Sequence, residues 1–76
     1  MITVYYRADN PIYPYYIVNS STNLWSGIAT SVERAAGSLR SHPMYLVRNF
    51  HFAHSEAIAE VEVLSDLEIN FPELFI

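Results

Sequence analysis

The chain has 76 residues, of which 51% are hydrophobic and 16% charged, with a formal net charge of −4, no cysteine and no lysine. A chain of this length holds one small core and buries about 60% of the surface its unfolded form exposes, so a single domain of modest stability is expected, with dimerisation as a natural supplement. The composition excludes a disordered chain, a membrane span, a disulfide framework, a thiolate metal cage and a thiol nucleophile.

The first segment, Met1-Ile2-Thr3-Val4-Tyr5-Tyr6-Arg7, lacks the basic stretch, long apolar run and small-residue cleavage site of a secretory leader, so the expected compartment is the cytoplasm. Ile2 to Arg7 is rich in β-branched and aromatic residues and reads as a strand. Ala8-Asp9-Asn10-Pro11 supplies turn chemistry, because the proline biases Asn10 away from helix. Pro14 to Asn19 is again β-rich, so the two segments are expected to pair as an antiparallel hairpin.

Ser20, Ser21, Thr22 and Asn23 are four consecutive candidate N-caps. Trp25, Ile28, Val32, Ala35, Ala36 and Leu39 then recur at spacings of three and four, while Ser26, Thr30, Ser31, Glu33, Arg34 and Ser38 fill the opposite side. The spacing predicts an amphipathic helix over about residues 23–40, with Trp25 at the start of its apolar face and Gly27 and Gly37 inside it. Pro43 forbids continuation, and Arg34 and Arg40 suit the negative end of the helix dipole.

Met44 to Phe52 is apolar on both sides and reads as a central strand. Residues 56–65 fit two periods. Ala57, Ala59, Val61 and Val63 alternate with Glu60 and Glu62 as in a strand, whereas Ile58, Val61 and Leu64 would line one helix face; the β-branched valines favour the strand. Asp66 is positioned to cap a short helical turn towards Phe71, and the tail Pro72-Glu73-Leu74-Phe75-Ile76 is apolar enough to pack down. The whole predicts an α+β fold: a small antiparallel sheet of three to four strands packed on one amphipathic helix, in the order β-β-α-β-β with a short C-terminal helical turn.

Residues that carry catalytic or metal chemistry are few. His51 and His54 with Glu56 have a metal-compatible donor set, but residues three apart on a strand point to opposite faces, so no metal or other cofactor is expected. No nucleophile elbow or phosphate-cradling glycine loop accompanies the serines and histidines, so no enzymatic activity is expected and no catalytic residue is assigned.

The charge is lopsided. Residues 1–48 carry four arginines against Asp9 and Glu33, a net of +2, whereas residues 49–76 carry six acids and no base, a net of −6. Glu56, Glu60, Glu62, Asp66, Glu68 and Glu73 fall within 18 residues. Such a surface repels nucleic acid and attracts the basic clefts with which proteins hold it, although a solubilising face has the same composition. Six tyrosines offer rigid contact area with a polar tip, suited to an interface or to plain sheet packing, and Tyr5 and Tyr15 are the expected apolar contacts beside the acids.

Small size, acidity, absence of cysteine, abundant aromatics and the ending Asn70-Phe71-Pro72-Glu73-Leu74-Phe75-Ile76 together give a chain that resembles the very short proteins of bacteriophages and mobile elements, the anti-CRISPR proteins among them. Those proteins share no common fold or motif, so no residue role carries over. The resemblance implies a non-enzymatic inhibitor, phage-encoded, that blocks a nucleic-acid-binding bacterial defence complex. The expected partner is thus a protein, with no direct nucleic-acid or membrane contact. A homo-oligomeric structural or accessory domain is the alternative.

Overall fold

A computed structural model of the chain describes residues 1–47 and 52–76. The fold is α+β. Five strands, β1 (Ile2–Arg7), β2 (Tyr15–Asn19), β3 (Leu24–Trp25), β4 (Met44–Tyr45) and β5 (Ser55–Val61), form one sheet in the order β4-β3-β2-β1-β5, each neighbouring pair antiparallel. Helix α1 (Val32–Ser41) lies between β3 and β4 in the chain, and α2 (Asp66–Asn70) with a 3₁₀ turn at Pro72–Phe75 follows β5.

The expected hairpin is present, with Val4 opposite Ile17 and Tyr5 opposite Tyr16. Its connection is fastened by the side chain of Asn10, whose Oδ1 accepts hydrogen bonds from the amides of Ile12 (3.2 Å) and Tyr13 (3.1 Å). The sheet has more strands than the three to four expected, because the first half of the predicted helix is something else.

Residues 23–31 do not form the first turns of a helix. Asn23 adopts a left-handed conformation (φ 58°) that closes the β2–β3 connection, and Leu24–Trp25 pair with β2. Gly27 is also left-handed, at φ 73°, which is what demands glycine there; a Cβ would also sit 2.7 Å from Met44 Cε, but that is the end of a flexible, exposed side chain that can move aside. Between them, buried Ser26 takes over part of the ladder. Its amide donates to the Ile17 carbonyl (2.9 Å), its hydroxyl accepts from the Ile17 amide (2.9 Å), and the same hydroxyl donates to the Gly27 carbonyl (2.7 Å). A serine that satisfies backbone groups of a neighbouring strand competes with the helical alternative, and tertiary pairing overrides the local 3.6-residue period. The helix begins instead at Ser31, whose hydroxyl accepts from the Arg34 amide (3.1 Å).

The segment from Met44 is likewise not a central strand. β4 is the sheet's edge, and its pairing with β3 reaches Leu46 through a 2.9 Å bond from the Leu46 amide to the Asn23 carbonyl; the remainder of the predicted strand runs into residues 48–51, outside the described residues. Of residues 56–65, those up to Val61 belong to strand β5, which starts at Ser55, whereas 62–65 bend and turn into α2, so Glu62 and Val63 do not continue the strand. At α2, Ser65 rather than Asp66 occupies the N-cap position, and its side chain makes no capping bond.

The main core lies between the sheet and the helical layer. Ile2 and Val4 of β1, Ile17 of β2, and Ala59 and Val61 of β5 face Val32, Ala35 and Ala36 of α1 and Leu67 of α2. Leu74 and Phe75 of the tail pack against this cluster, whereas Ile76 is fully exposed. Among the described residues, no helix is long and apolar enough to cross a membrane.

Candidate protein-binding surface

Side chains alternate across the pleat, so cross-strand partners share a face. Tyr5, Tyr16 and Trp25 lie on the face away from α1, and there they build a second packed cluster. Tyr16 is 1% exposed: it stacks on Tyr5 with ring centroids 4.9 Å apart, and meets Trp25 (5.9 Å) and Phe52 (5.3 Å) edge-on. Its hydroxyl donates to Ser55 Oγ at 2.8 Å. The Arg7 guanidinium lies 3.8 Å from the Phe52 ring centroid, and its buried Nε makes no hydrogen bond but sits 3.6 Å from Asp9 Oδ1. A cation held over an aromatic face in this way gains roughly 0.5–2 kcal/mol and closes the end of the cluster.

The register separates the tyrosines expected to act together. Tyr5 belongs to this outer cluster, whereas Tyr15 pairs with Tyr6 on the helix side, the two rings meeting edge-on at 5.4 Å. Both are half-buried and committed to internal packing, so Tyr5 and Tyr15 do not form a common contact surface. The exposed tyrosines are Tyr13, at 45%, and Tyr45, at 79%.

Burial, followed by the nearby charges of Tyr16 and Glu60, pushes the Tyr5 phenol above its ordinary value of 10.0. The folded state therefore favours the neutral phenol more than the unfolded chain does. The associated stability is whole below about pH 10 and is lost as the pH rises from there through the folded-state titration. A urea midpoint that falls above pH 10 in the wild type, and falls less in Tyr5→Phe, is the expected result.

Five of the six carboxylates of the C-terminal third lie on β5, α2 and the 3₁₀ turn, which are consecutive in the chain, with α2 packed against the other two, and Glu62 lies in the connection between β5 and α2. They do not point one way. Glu60, opposite Thr3, is on the outer face, whereas Glu62 lies beyond the end of β5 at Val61, in the connection to α2. A β-bulge between Val4 and Tyr5 inserts Ile58 into β5, so that Ala57 rather than Ile58 meets Tyr5 and Glu56 meets Tyr6 on the helix side. Without that bulge Glu56 would share a side with Glu60. Asp66, Glu68 and Glu73 belong to the helical layer, where Leu67 turns inward between the first two. The acids thus form a rim wrapped around the β5 edge rather than a flat patch. All but half-buried Asp66 are exposed, and among the described residues the ion pair present is Arg7–Asp9, which involves none of the six.

Sequence reasoning missed the second apolar feature. Met44, Tyr45 and Val47 are exposed at the opposite edge of the sheet, a display hidden by reading the segment as a central strand. His54 is exposed in a left-handed turn (φ 61°), and His51, the other half of the metal-like spacing, lies outside the described residues. Among the described residues no group of three or more metal-ligating side chains converges, and no pocket is found. Set against protein-family models, curated proteins and solved structures, the chain matches none of them, so its functional reading rests on this geometry.

Proposed function

We propose that the protein is a non-enzymatic inhibitor that binds another protein through the acidic rim of β5, α2 and the 3₁₀ turn. The partner presents a basic, nucleic-acid-binding surface, of the kind found in a bacterial RNA-guided defence complex. The observation that carries the reading is the rim itself: six carboxylates on three adjoining elements and the connection between β5 and α2, without an arginine folded back on any of them among the described residues. A positive groove that normally tracks phosphates is attracted to such a rim, which speeds encounter and excludes the nucleic acid by occupancy. Because the acids curve around an edge, they suit a concave cleft that grips the domain from both sides better than a flat surface.

Adding the purified chain to reconstituted RNA-guided nuclease complexes is expected to reduce target-DNA binding, with inhibition that weakens as ionic strength rises. The triple variant Glu60→Lys, Glu62→Lys, Asp66→Lys is expected to inhibit more weakly by a factor on the order of tenfold or more. Equal inhibition by wild type and triple variant, with a flat salt response, would reject the proposal.

A further inference from the structure

We draw no further inference here: the strongest candidate, the outward side of α2 where Ile69 stands exposed beside Glu68, belongs to the acidic rim already described, and nothing in the structure shows what covers it.

Discussion

Replacing Tyr16 with alanine is expected to destabilise the domain by about 3–5 kcal/mol, the cost of removing a buried aromatic side chain that its surroundings cannot refill. For a chain of this size, whose whole stability is roughly 4–11 kcal/mol, that is a large fraction. Tyr16 is the hub of the outer face, in contact with Tyr5, Trp25 and Phe52, and without it these rings lose their common partner. Tyr16→Phe separates the two contributions. It keeps the ring and removes only the bond to Ser55, so about 1 kcal/mol is expected. Urea denaturation followed by Trp25 fluorescence reads both, with an unchanged denaturant slope showing that stability alone has moved. If alanine costs no more than phenylalanine, the outer face is not a second core and Glu60 stands on an unsupported surface.

Leu67→Ala carries the next largest effect, about 2–5 kcal/mol. α2 has five residues, far below the length at which an isolated helix persists in water, and the Ser65 side chain does not cap it. What holds the segment is burial of Leu67 against the sheet, assisted by Phe71, Leu74 and Phe75. Asp66, Glu68 and Glu73 ride on that segment, so the variant is expected to loosen half of the acidic rim without altering its charge. Amide hydrogen exchange is expected to show lost protection from Asp66 to Phe75 before any other part of the chain. Glu68→Ala, at an exposed position beside it, is expected to stay within about 0.5 kcal/mol of wild type. Equal protection in Leu67→Ala and wild type would mean that the tail is held by something other than this side chain.

The candidate site was legible as a list of residues and illegible as a shape. The run from Glu56 to Glu73 without a base is visible in one dimension; a shared side for Glu60 and Glu62 does not follow, because β5 ends at Val61. The position of Glu56 is not visible in that way either, since the bulge that turns it to the helix side arises from the mismatch between β1 and β5 across the ladder. The division of Tyr5 from Tyr15 follows in the same way from the hairpin register, which the connection between β1 and β2 fixes and the composition of either strand does not.

The sequence by itself determined the α+β class, the first hairpin and the end of the helix ahead of Pro43, and it favoured strand over helix within residues 56–65, where β5 runs to Val61. Each of these is written in short-range chemistry: β-branched runs, turn residues, a proline, an alternating pattern. Only the tertiary structure decided that residues 23–31 leave the helix for the sheet, because the bonds that hold them there come from Ile17 and from the fit of Met44 over Gly27, both distant in sequence. It decided equally that Met44–Tyr45 lies at an edge. Edge and centre differ in what lies beside a strand, and a neighbour's absence leaves no mark on the strand's own residues beyond an apolar pattern that both positions share.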